Sequence, residues 1–111
     1  MNASDLAKQK CVPCEGGTPP LRADEIAGFM GELASPWEVV DEKKIQKSFS
    51  FKNFVEAMEF VNKIAHIAEE EGHHPDLHIF YNKVTIELWT HAVGGLSKND
   101  FILAAKIEAL I

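Results

Sequence analysis

The residues best able to move protons near neutral pH lie between Gly72 and Asp100. His73, His74 and Pro75 follow a glycine, Trp89-Thr90-His91 follow a β-prone run, and Asp100 closes the stretch. Imidazole accepts and donates protons close to neutrality, so two rings over one pocket can act as base and acid in a single step. A carboxylate beside them, Glu69 or Asp100, can set which ring carries a proton. Trp89 offers a flat wall against which a planar heterocycle can lie. Three histidines and a carboxylate also make a conceivable zinc set. Adjacent residues such as His73 and His74 point apart in an extended chain, however, and rarely share one ion. The expectation is therefore acid-base chemistry with no metal. His66 and His78 read as hydrogen-bonded surface histidines.

A chain of 111 residues and 12.4 kDa can build one core and is too short for two ordinary domains. Its 46% hydrophobic and 25% charged residues are the balance of a folded globular protein. The net charge of -6, with Lys and Arg scattered singly, disfavours a phosphate backbone as partner, so nucleic acid is not expected. No apolar run has the length of a membrane span, and Met1 to Lys10 lacks the apolar core of a secretory signal. A cytoplasmic location with no membrane contact is expected. Cys11 and Cys14 form a lone C-x-x-C without a second pair to complete a zinc site and without a βαβ context, and read as two reduced thiols, with a metal shared between subunits or a redox pair as the alternatives.

Residues 1 to 20, ending in Glu15-Gly16-Gly17-Thr18-Pro19-Pro20, read as an irregular arm, and the domain proper is expected over 21 to 111. Apolar residues at three- and four-residue steps predict a helix over Ala23 to Leu33, stopped by Ser35-Pro36. Trp37 to Val40 and Ile45 to Phe51 form a first hairpin. A second helix runs from an Asn53 cap to Glu71, ended by Gly72. Glu69, Glu70 and Glu71 oppose its dipole, which a solvated charge run explains by default. Leu77 to Tyr81 and Val84 to Thr90 form a second hairpin turning at Asn82-Lys83. That turn would pair His78 with Glu87, Asp76 with Trp89 and, continued past Pro75, His74 with His91. Ser97 and Asp100 make a capping-box-like start for a helix to Ile111. This helix is apolar almost all round, which predicts that a second copy covers it. Gly94-Gly95 reads as a turn; an anion cradle is the lesser alternative. The fold class expected is α+β, a four-stranded antiparallel sheet with three helices on one face.

These residues resemble the pterin-4a-carbinolamine dehydratases. The family pattern sets an acidic or polar residue ahead of a His-His-Pro, an aromatic about six positions later, a histidine ten beyond it and an aspartate nine further on. Glu69, His73-His74-Pro75, Tyr81, His91 and Asp100 fill it here without insertion. The resemblance implies a cofactor-free hydro-lyase that dehydrates the 4a-hydroxytetrahydrobiopterin left by an aromatic amino acid hydroxylase to the quinonoid dihydropterin. His73, His74 and His91 would be catalytic, Pro75, Thr90 and Trp89 would contact the pterin, and Glu69 and Asp100 would support them. The assembly would be a homodimer or homotetramer. Proteins resembling this family also act as dimerisation or assembly cofactors, or in molybdopterin-related roles, so a non-catalytic interaction protein is the alternative.

Overall fold

The computed structural model describes residues 6–12 and 19–111; Cys14 and the Gly-rich part of the arm lie outside them. Helix α1 spans Ala23–Met30, strand β1 Glu38–Val40, β2 Lys44–Ser50, helix α2 Phe54–Glu71, β3 Asp76–Phe80, β4 Lys83–Leu88 and helix α3 Lys98–Glu108. The strands form one antiparallel sheet in the order β1-β2-β4-β3, as the α+β expectation required. The periodicities explain these elements. Ile45 and Phe49 alternate with polar neighbours along β2, and Val84, Ile86 and Leu88 do so along β4. Their shared face meets Ala57, Phe60, Val61 and Ile64 of α2 and the buried body of α3. Asn53 caps α2 by accepting from the Glu56 N–H at 2.9 Å.

The second hairpin turns one residue earlier than the sequence suggested, and this moves its register by two. Phe80 pairs with Lys83, Ile79 with Val84, Leu77 with Ile86 and Asp76 with Glu87. A two-residue shift preserves which side chains face the core, so apolar sorting alone could not reveal it. Tyr81 takes the left-handed conformation, φ 52°. Asn82 is tied to β2 instead: its amide donates to the Phe51 carbonyl at 2.9 Å, and its own carbonyl accepts from the Phe51 N–H at 2.8 Å. These two bonds fix the turn.

Helix α3 needs no second copy to cover it. Phe101 to Ala105 and Ile107 are all at most 2% exposed within the single chain. Phe29 of α1 stacks on Phe101 at 5.2 Å, and Leu6 of the N-terminal segment is fully buried in the same core. Segment 6–12 and α1 thus supply the cover that a second copy was expected to give. No helix among the described residues is long and apolar enough to cross a membrane.

Candidate active site

Gly72, at φ 64°, closes α2 in the left-handed region, where a side chain would be strained. The N–H groups of Gly72 and His73 both return to the carbonyl of Ala68, and the chain leaves the helix turned toward α3. This turn sends the His73 side chain inward, where only 11% of it is exposed. His74 emerges on the other side, 60% exposed.

His73 Nε2 lies 2.6 Å from Oδ1 of Asp100, a carboxylate with no exposed surface. Oδ2 of the same carboxylate accepts from the Thr90 hydroxyl at 2.9 Å and from the Ser97 N–H at 2.9 Å. As a carboxylate, Asp100 can accept from all three partners, with His73 Nε2 as the donor. In the neutral ring that carries its proton on Nε2, Nδ1 is the acceptor. Since Thr90 donates to Asp100, Ser97 Oγ, 2.7 Å away, must donate to Thr90. The expected capping box is present in both halves, Asp100 accepting from the Ser97 N–H and the Ser97 side chain accepting from the Asp100 N–H, while the Ser97 hydroxyl proton goes to Thr90. Thr90 is 5% exposed and acts on Asp100 more directly than on any open pocket.

His74 and His91 do not meet as cross-strand neighbours. The register shift ends the β3–β4 ladder at Asp76 and Glu87, and His74 Nε2 instead contacts Glu69 Oε2 at 2.5 Å. Pairs expected to be directly opposite survive as diagonal contacts. Trp89 Nε1 donates to Asp76 Oδ2 at 3.1 Å, and His78 Nε2 lies 3.6 Å from Glu87 Oε1. The acidic end of α2 is also not one solvated run. Glu69 contacts His74, Glu70 pairs with His66 at 3.6 Å, and Glu71, with a side chain only 7% exposed, accepts from the Cys11 N–H at 2.8 Å.

His91 is exposed and begins a short 3₁₀ turn, His91–Val93. Its ring packs on Trp89 with centroids 3.7 Å apart at 37°. The turn is anchored by mutual backbone bonds between Thr90 and Gly95, and Gly94 reverses the chain at φ 68°. Gly94→Ala should therefore cost about 1 kcal/mol and lower Tm by roughly 4 °C in a calorimetric scan. Beside the half-buried Trp89, on the open face of the sheet, is a cleft of about 300 Å³ lined by Val40, Lys44, Asp76 and Glu87. It gives a planar molecule an apolar wall and both signs of charge. Pro75 is half-buried between His74 and β3. Among the described residues no cluster of three or more His, Cys, Asp and Glu side chains is arranged to hold a metal ion.

The residues give an oriented His73–Asp100 pair and, beyond the end of β4, an exposed His91 packed on an indole. Two further buried polar side chains lie beside the pair in sequence. Glu71 is the third acid at the wrong end of the α2 dipole, a local conflict visible in the sequence. Asn99, 4% exposed, stood beside Asp100 without any pattern to mark it.

Comparison with known proteins follows the same line. The family model described as pterin 4 alpha carbinolamine dehydratase matches residues 19–110. A Nitrosomonas eutropha protein provisionally named pterin-4-alpha-carbinolamine dehydratase is 48% identical over 110 residues, 99% of this chain and 96% of its own. A Rickettsia canadensis protein with the same provisional name is 51% identical over 106 residues, 96% of this chain and 97% of its own. Among solved structures, a transcriptional coactivator/pterin dehydratase from Brucella melitensis superposes with a TM-score of 0.77 at 34% identity, covering 82% of this chain and 97% of that one. A pterin dehydratase-like protein described as a RuBisCO assembly factor in the alpha-carboxysome shares the fold, with a TM-score of 0.60 at 23% identity, over 69% of this chain and 90% of that one.

Proposed function

This chain belongs to the pterin 4 alpha carbinolamine dehydratase family, and from that membership we propose a cofactor-free hydro-lyase acting on a 4a-hydroxytetrahydropterin such as 4a-hydroxytetrahydrobiopterin. The observation that carries the reading is the buried Asp100 carboxylate, which the Thr90 hydroxyl and the Ser97 N–H hold in place against the His73 imidazole. In the reaction a base takes the proton from the ring N–H next to the carbinol carbon. The nitrogen lone pair forms the C=N bond, the C–O bond breaks, and an acid protonates the departing hydroxide to water. The product is the quinonoid dihydropterin.

His73, with Nδ1 as its acceptor, takes the role of base. His91, exposed and stacked on Trp89, is the acid. His74, oriented by Glu69, and Pro75 hold the pterin edge, while Trp89 supplies the wall for its rings. The reaction that would supply such a carbinolamine is an aromatic amino acid hydroxylation, and we propose a cytoplasmic protein that recycles its pterin. A homodimer or homotetramer would rest on the exposed Ile79, Phe80 and Tyr81 and on Phe54 and Val55, rather than on α3. The same exposed residues favour a second reading, an interaction protein of this fold, for which the histidines would be dispensable. The test is direct. Purified protein added to freshly generated 4a-hydroxytetrahydropterin should accelerate formation of the quinonoid dihydropterin, followed by ultraviolet absorbance, and no acceleration would remove the enzymatic reading.

A further inference from the structure

The N-terminal segment 6–12 joins the two chain positions that precede the partners of the His73–Asp100 pair. Glu71 stands two residues before His73, and Asn99 stands immediately before Asp100. Glu71 Oε1 accepts from the Cys11 N–H at 2.8 Å. The Asn99 amide pairs with the backbone of the next residue from both sides, its Oδ1 accepting from the Val12 N–H at 3.0 Å and its Nδ2 donating to the Val12 carbonyl at 2.5 Å. The Cys11 thiol lies 3.6 Å from the Asn99 carbonyl. Further along α3, Lys106 Nζ donates to the Ala7 carbonyl at 2.7 Å and lies 3.7 Å from Glu71 Oε2.

These contacts are part-buried, and Val12 itself is 65% exposed. Asn99 is 4% exposed, the Glu71 side chain 7%, and Leu6 anchors the segment in the core with no exposed surface. Two neighbouring backbone positions of one segment, Cys11 and Val12, are therefore bonded to the end of α2 and to the start of α3. The His73–Asp100 hydrogen bond bridges the same two ends. A displacement of either helix end that released the segment would also lengthen that bond. Catalytic geometry is sensitive on this scale, since a displacement of about 1 Å can cost roughly a hundredfold in rate.

We propose that Asn99 and Glu71 are positioning residues: through segment 6–12 they hold the end of α2 against the start of α3, and so fix the His73 imidazole on Asp100. This inference rests on the dehydratase reading for its kinetic consequence and on the hydrogen bond alone for its structural one. The segment is then a working part of the site and not a passive arm.

The experiment compares Asn99→Ala, Glu71→Ala and Glu71→Gln in the full-length chain. Glutamine keeps an acceptor for the Cys11 N–H, whereas alanine does not. Two readouts are taken: kcat and KM for dehydration, and the ¹⁵N and Nε2–H resonances of His73. Asn99→Ala and Glu71→Ala should lower kcat by about tenfold with KM within about twofold, and should broaden or shift the Nε2–H signal. Glu71→Gln should keep at least about half of the wild-type kcat and the wild-type signal. The proposal is overturned if both alanine variants keep kcat and the His73 signal. It is equally overturned if glutamine is as damaging as alanine, which marks a charge or folding role. Should Asn99→Ala not fold, the Glu71 pair decides alone. If the wild type itself shows no dehydration, the dehydratase reading fails separately, and the His73 signal decides the positioning claim.

Discussion

Replacing His73 by alanine is expected to lower kcat for dehydration by roughly 100- to 10,000-fold, the range in which a positioned general base contributes. KM should move little, because the ring acts on a proton in transit more than on the resting substrate. The expectation follows from burial and direction. His73 is the one histidine of the set held from behind by a fully buried carboxylate, at 2.6 Å, and in the neutral ring with its proton on Nε2 the other nitrogen is the acceptor. Alanine would leave Oδ1 of Asp100 without its donor in a place water reaches poorly, at a stability cost of about 1–3 kcal/mol. Circular dichroism and a thermal scan separate that cost from the kinetic loss. His74→Ala, by contrast, removes an exposed side chain whose contact is with the exposed Glu69, and should act more on KM than on kcat.

Asp100→Asn is the second large effect, and its sign comes from counting donors. The carboxylate accepts from His73, Thr90 and Ser97, and an amide can accept on one oxygen only. If the amide oxygen keeps Thr90 and Ser97, the NH₂ group faces His73 Nε2. That nitrogen must then become the acceptor, and the proton moves to Nδ1. The ring remains in place with its proton on the wrong nitrogen. A wrong tautomer behind an otherwise intact site is worth up to about 10,000-fold in a comparable His–Asp arrangement, and a loss of roughly 100-fold or more is expected here. Nitrogen-15 shifts of His73 should report the protonated Nδ1 directly. Unchanged shifts together with unchanged rate would mean that Asp100 is a helix cap and nothing more.

The antiparallel sheet, the three helices and the residue types of the site were legible in the chain, because periodicity, caps and the His-His-Pro run are local signals. What was not legible depended on distant contacts. The turn at Tyr81-Asn82 is set by the bonds of Asn82 to Phe51, thirty-one positions away. Alternation cannot see a shift of two, so it predicts Asp76 and Trp89 as neighbours, which they are, and His74 and His91 as neighbours, which they are not. The covering of α3 failed for a similar reason. A Gly- and Pro-rich stretch next to segment 6–12 marks an irregular chain, but it does not reveal that Leu6 enters the core or that Cys11 and Val12 bind Glu71 and Asn99. Asp100 shows the opposite case. Its spacing from Ser97 announced a helix cap, and the same carboxylate also orients His73, so the local explanation was present and incomplete.

The most direct test of the account is the rate of 4a-hydroxytetrahydropterin dehydration measured side by side for the wild type and His73→Ala, with both proteins shown to be folded. The wild type should accelerate the reaction well above the spontaneous rate, and the variant should fall by roughly 100-fold or more. A variant that matches the wild type would contradict the central claim, that a histidine held by Asp100 removes the proton.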